Sequence, residues 1–228
     1  MATLIDLSQE IYQGMGVFTG HLKTVVFDHM THDETLGTFE SDLSYATKGI
    51  MLNDNGPTHV DSFSHLDPTG LSIAEMPLDL FYGPGVCVDV SHTGDNSYIS
   101  EEEMQSALDA SGQSLETGDT LLIHTGHVGR HHGTPEYLTK YPGLDAGAVR
   151  WIYENGAKVF GVDNPSPDNP LSTTYPVHVF CRDHKLTHYE NLTNLDQLVG
   201  KRFTFIGFPL KVRGAHGGPT RAVALLDV

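Results

Sequence analysis

The segment 145-DAGAVRWIYENGAKVFGVD-163 reads as a capped helix running straight into a buried strand. Asp145 suits an N-cap, Val149, Ile152 and Tyr153 form an apolar stripe at helical spacing, and Gly156 stops the helix before the apolar run that ends at Asp163. The same alternation extends in both directions. Upstream, 119-DTLLIHTG-126 reads as a buried strand ending in a polar loop, and 86-VCVDV-90 as another, flanked by the turn formers 82-YGPG-85. Between them Ser100 and Glu101 to Glu103 form a capping-box pattern ahead of Met104, Ala107 and Leu108. Downstream come a short helix from Pro176 through Leu186 and strands near 202-RFTFIGF-208 and 221-RAVALLDV-228. Strands alternating with helices predict an α/β fold. The stretch from His21 to Leu52 reads as β throughout and argues against a simple doubly wound sheet.

The 228 residues show no repeat, low-complexity tract or linker, so residues 1–228 are expected to form one domain. The opening MATLIDLSQE lacks a basic start and an apolar run, and no apolar stretch approaches the roughly 18 residues of a membrane span. A soluble, cytoplasmic protein without a membrane partner is the expectation. Lys+Arg 13 against Asp+Glu 29 gives a formal charge of −16, which repels phosphate backbones and excludes nucleic acid as a natural partner. That acidity fits a salty environment or simply a well-solvated surface. The cysteines Cys87 and Cys181 sit in apolar contexts and read as buried thiols. The 14 histidines gather at 59 and 65, at 124, 127, 131 and 132, and at 178, 184 and 188, a clustering that suggests cations.

The richest stretch is 53-NDNGPTHVDSFSHLDP-68. In extended backbone, residues two apart share a face, so His59 and Asp61 would project together, as a divalent metal requires. Two ordinary loop histidines around a capping aspartate would give the same pattern. A metal site needs further donors from elsewhere in the chain, and His178 in 175-YPVHVF-180 and Glu190 in 188-HYENL-192 are the candidates. Each alone also fits a satisfied helix-face histidine and a solvated acid.

With these residues assembled, the chain resembles the cyclase-like metal-dependent hydrolase family, which includes bacterial arylformamidases (kynurenine formamidases) and isatin hydrolases. The family signature is similar to H-x-G-T-H-x-D-x-P-x-H, present here as 55-NGPTHVDSFSH-65. Further likeness runs through 5-IDLSQEIYQGMGVFTG-20, 121-LLIHTGH-127, 161-GVDNPSPD-168, 176-PVH-178, 190-ENLTNLDQL-198 and 206-IGFPLKVRGAHGGPTRAVAL-225. The resemblance implies a mixed-sheet, swivelling β/β/α architecture. It also implies metal ligands at His59, Asp61, His178 and Glu190, a proton donor and acceptor at His65, and an aromatic at the substrate pocket at Phe18. Asn55 stands where many members carry a histidine ligand, and Pro57 replaces the first motif glycine. An amide oxygen suits manganese better than zinc, so one Mn or Zn ion is the expectation, with a second possible. A homodimer or larger assembly is likewise implied.

A metal held there would make hydroxide near neutral pH and polarise a carbonyl, with His65 moving the proton. The expected activity is hydrolysis of a C–N amide bond, in a formamide or lactam of a small aromatic or cyclic substrate. Cyclisation or dehydration by the same Lewis acid, and divalent-metal binding without turnover, are the alternatives. The loop 126-GHVGRHHGTPEY-137 could cover the pocket or be a solvated loop, and Ser166 and Asp168 could orient a ligand or make a local turn. Glycine-flanked His216 is a candidate substrate contact.

Overall fold

The computed structural model describes residues 2–226. Its strands are β1 (Thr3–Asp6), β2 (Val25–Met30), β3 (Thr47–Met51), β4 (His59–Asp61), β5 (Tyr82–Asp89), β6 (Tyr98–Ile99), β7 (Thr120–His124), β8 (Gly143–Leu144), β9 (Val159–Val162), β10 (Thr187–Glu190), β11 (Arg202–Ile206), β12 (Gly217–Pro219) and β13 (Val223–Leu226). The helices are α1 (His32–Thr35), α2 (Glu101–Ser111), α3 (His127–His131), α4 (Ala146–Glu154) and α5 (Pro176–His184). One nine-stranded sheet runs in the order β1-β13-β11-β5-β7-β9-β10-β4-β12. Its centre, from β5 through β7 and β9 to β10, is parallel, whereas the strands on both flanks pair antiparallel. The fold is α/β with a mixed sheet.

Residue alternation divides the apolar side chains between the two faces. Val86, Val88, Leu121 and Ile123 enter a core closed by Met104 and Leu108 of α2, Trp151 and Ile152 of α4 and Val177 of α5. Their strand neighbours Cys87 and Leu122 enter a second core with Val60, Phe81, Tyr189, Phe203 and Phe205. Local chemistry starts the helices where the residues direct. Ser100 accepts from Glu103 N while Glu103 accepts from Ser100 N, and the Asp145 carboxylate accepts from Ala148 N at 2.7 Å. Gly156 follows α4 at φ +84, a left-handed conformation that favours glycine.

Several expectations are corrected. Tyr153 is exposed at the rim of α4 and packs edge-on to His184 and Phe180, while Ala148 and Trp151 join Val149 and Ile152 inside. The segment 82–85 is the start of β5 rather than a turn, because Gly85 leaves no room for a side chain: a Cβ there would lie 2.8 Å from the Phe203 ring and 2.9 Å from Thr120 O. The region from His21 to Leu52 is not wholly β, since Thr31 caps the single-turn α1 between β2 and β3. The final strand ends at Leu226, and the expected extension through Asp227 and Val228 lies outside the described residues.

Candidate metal centre

Strand β4 pairs antiparallel with β10, with Tyr189 opposite Val60 and Glu190 opposite His59. The period of two therefore puts His59, Asp61, His188 and Glu190 on one face of the sheet, while Val60 and Tyr189 are fully buried on the other. His178, in the first turn of α5, arrives above that face. The Asp61 Oδ2 atom lies 3.5 Å from Nε2 of both His178 and His188, and Glu190 Oε1 lies 3.2 Å from His188 Nε2 and 3.7 Å from His178 Nε2. A tetrahedron of ligands about 2.1 Å from a shared ion has edges of about 3.4 Å, so the four imidazole–carboxylate distances are close to those around a divalent cation.

The other oxygens of the same carboxylates face His59, whose Nε2 is 3.4 Å from both Asp61 Oδ1 and Glu190 Oε2. Hydrogen bonds set which ring nitrogen each histidine presents. His59 Nδ1 donates to Pro57 O at 2.9 Å, and His178 Nδ1 meets Asp168 Oδ2 at 2.5 Å, leaving both Nε2 atoms turned to the acids. The chemistry of the set fits a cation: two buried carboxylates converge, and among the described residues neither forms an ion pair with Lys or Arg.

Histidine protons respond to the same need. Burial works to raise the Asp61 pKa, but the His178 hydrogen bond, the charge of His188 and the His59 hydrogen bond outweigh it and hold the carboxyl well below its usual range. Burial likewise opposes charge on His178 and His59, yet bonds to Asp168 and Asp61 push His178 well above its ordinary value, and Asp61 and Glu190 raise His59. His65 goes the other way. Its burial lowers the pKa and the Asp61 charge offsets this only in part, leaving a neutral imidazole with Nε2 3.8 Å from Asp61 Oδ2.

Asn55 lies over Asp61, with its amide nitrogen 2.6 Å from Oδ1. Gly217, opposite Asp61 on β12, makes space for it, because a Cβ there would come within 2.8 Å of the amide. Above the acids opens a cavity of about 410 Å³, into which His59, Asp61, His65, His178, Glu190, Asn55 and Phe18 all face. Val17, Leu66, Leu138, Tyr175 and Val179 give it apolar walls.

His216 is not brought there. Its carbonyl accepts from Ser62 N, one residue beyond Asp61, so its side chain takes the opposite face and meets Ser64 in a separate depression with Lys211 and Arg213. Nor do His124, His127, His131 or His132 line the cavity: His127 is buried against Tyr137, and His131 pairs with Asp95 at 2.8 Å. Ser166 reaches the cavity wall, and Asp168 lies behind His178. Sequence reasoning counted His188 among the clustered histidines but did not name it as a ligand. Its signal was present, since His188 and Glu190 repeat the two-residue spacing of His59 and Asp61.

Residues 5–169 match the family model described as a putative cyclase. The chain belongs to this cyclase family. Among curated relatives, the kynurenine formamidase of Bacillus mycoides is 28% identical over 219 residues, covering 96% of this chain and 95% of that one. Solved structures share the fold: isatin hydrolase A from Labrenzia aggregata superimposes with a TM-score of 0.84 at 22% identity, covering 99% of this chain and 94% of the other. A structure described as a novel cyclase gives a TM-score of 0.86 at 22% identity, over 98% and 86% of the two chains.

Proposed function

We propose that this chain is a metal-dependent hydrolase of a C–N amide bond in a small aromatic or cyclic substrate, a formamide or lactam. The observation that carries the reading is the set of Asp61, His178, His188 and Glu190, whose donor atoms all lie within 4.8 Å of one another, three of them, Asp61, His178 and Glu190, lining the apolar-walled cavity. The kinship with kynurenine formamidases supports it. A divalent ion bound there would supply a Lewis acid that eases deprotonation of water and polarises an amide carbonyl. His65, neutral and outside the four-residue set, takes the proton of the attacking water as its oxygen bonds the carbonyl carbon. The same imidazolium then returns that proton to the nitrogen as the C–N bond breaks, giving an amine and a carboxylic acid, which releases its remaining proton to solvent as it ionises. Phe18 and Tyr175 offer aromatic surface to the substrate ring.

The paired carboxylates also favour a second ion. Each turns one oxygen to His178 and His188 and the other to His59, so His59, Asp61 and Glu190 could share a second cation. Asn55 would join it only by turning its amide oxygen inward and giving up its bond to Asp61. Mn²⁺ and Zn²⁺ both suit the mixed nitrogen and oxygen donors. The ribbon of β2 and β3 exposes Phe27, Ile50 and Met51, with Leu36 and Leu43 exposed between them, and supports assembly of two or more copies through this arm.

Plasma mass spectrometry on chelator-free protein, followed by assay of a formamide and lactam panel with Mn²⁺ or Zn²⁺, tests the reading. The expected result is one or two ions per chain and products heavier than their cyclic substrates by one water. Products lighter by one water would favour a dehydrating cyclase, and bound metal without turnover a binding protein.

A further inference from the structure

Helices α2 and α4 are capped by the side chain of the residue just before them, Ser100 and Asp145, but α5 is not. Its N-cap is Tyr175, held at φ 47 and ψ 56, with no side-chain hydrogen bond to the first turn. A bulky residue in that left-handed region is strained, and the free N–H groups of a first turn need acceptors. They find one seven residues upstream. Asp168 accepts from Val177 N at 2.8 Å through Oδ1 and from His178 N at 3.1 Å through Oδ2, and that same Oδ2 receives His178 Nδ1 at 2.5 Å.

Asp168 is itself held firmly. It is 1% exposed, and the loop carrying it is pinned where Leu144 N donates to Pro167 O at 2.8 Å and Asn169 Nδ2 donates to the carbonyls of Asn96 and Ser97. Gly143 lets this loop lie against β8, since a Cβ there would sit 2.0 Å from Asn169 N. A rigid carboxylate thus grips both the backbone and the ring of one residue.

We infer that Asp168 is the positioning residue for the metal centre, using the carboxylate that caps α5 to lock the His178 ring with its proton on Nδ1 and its Nε2 lone pair aimed at the cation between Asp61 and Glu190. This rests on the metal-binding part of the proposed function. A helix cap alone would need only the two backbone bonds. The ring bond makes the difference, because it fixes both tautomer and rotation, and partners of this kind contribute about 10- to 100-fold to metal affinity.

The test is Zn²⁺ affinity by competition with a chromogenic chelator, for wild type, Asp168→Asn, His178→Ala and the double variant, with the Co²⁺ absorption spectrum as a second readout. Asparagine retains an oxygen for the helix N–H groups but lacks the second acceptor for the ring. We expect Asp168→Asn to weaken Zn²⁺ about 10- to 100-fold and alter the Co²⁺ bands, with no further loss when added to His178→Ala. Unchanged affinity in Asp168→Asn, or an equal loss in both backgrounds, would overturn the inference and leave Asp168 as a cap. Should Asp168→Asn fail to fold, long-range ¹H–¹⁵N correlation on the Zn²⁺-loaded wild type decides: His178 protonated at Nδ1 supports the inference, and protonation at Nε2 overturns it. Failure of the wild type to bind Zn²⁺, Mn²⁺ or Co²⁺ would instead sink the metal-centre reading.

Discussion

His188 and His127 show how environment assigns opposite tasks to one side-chain type. His188 is buried on a strand beside two carboxylates, whereas His127 is buried among Tyr137, Tyr141 and His131, its Nε2 bonded to Tyr137 O at 2.8 Å. Burial pushes the His127 pKa down to about 4, the Asp163 charge opposing it only in part. The unfolded chain takes up a proton near pH 6.5 that the folded chain refuses until about 4, so stability falls as pH drops through that window. Between about pH 7.5 and pH 5 the loss amounts to about 2 kcal/mol. Urea unfolding at those two pH values should show wild type losing that much more than His127→Gln; equal losses would mean the imidazole is not held neutral. For His188, replacement by Ala removes one of four converging donors, and chelator competition should record at least about a tenfold loss of Zn²⁺ affinity. Because His178 and His59 have raised pKa values before a cation arrives, binding must displace their protons. Metal affinity should therefore climb with pH through the neutral range in calorimetric titrations, and a flat profile would contradict that coupling.

At the scale of elements, the site is a product of pairing rather than of any single segment. Register between β4 and β10 brings His59 opposite Glu190, and β12 contributes chiefly an absence, Gly217, beside Asp61. Gly217→Ala should displace Asn55 from Asp61 and destabilise the fold by about 1–3 kcal/mol, measurable as a lowered denaturation midpoint. A midpoint within error of wild type would mean that the strand relaxes freely there. The β2–β3 ribbon poses a different problem, since two strands alone are marginal in water and this pair leaves Phe27 52% and Ile50 58% exposed. If a second copy covers the arm, Ile50→Lys should shift light-scattering mass to that of one chain while leaving the far-ultraviolet spectrum intact. An unchanged mass would remove the ribbon from the interface.

For the whole molecule, strands from near the two ends of the chain form one edge of the sheet. Strand β1 pairs with β13 through Ile5 opposite Ala224, and β13 pairs with β11, which lies against β5. Sheet order interleaves early and late strands, so we propose that the chain folds as one unit. Calorimetry and circular dichroism of the metal-free protein should then report a single coincident transition. Two separated transitions would divide the chain into independent parts.

The sequence by itself determined the helices that carry their own start and stop signals, α2 and α4, and the central strands whose apolar runs are long enough to read. It also placed His59, Asp61, His65, His178 and Glu190 as the candidates for chemistry, because short spacings and a family signature are local properties. What only the tertiary structure decided depends on neighbours distant in the chain. His188 became a ligand candidate once β10 lay beside β4, and His216 left the pocket because pairing opposite Ser62 turned it to the other face. Residues 82–85 became strand because Phe203 and Thr120 press on Gly85. A strand's two faces are equivalent until a sheet is built around them, and no local pattern states which face will enclose the cation.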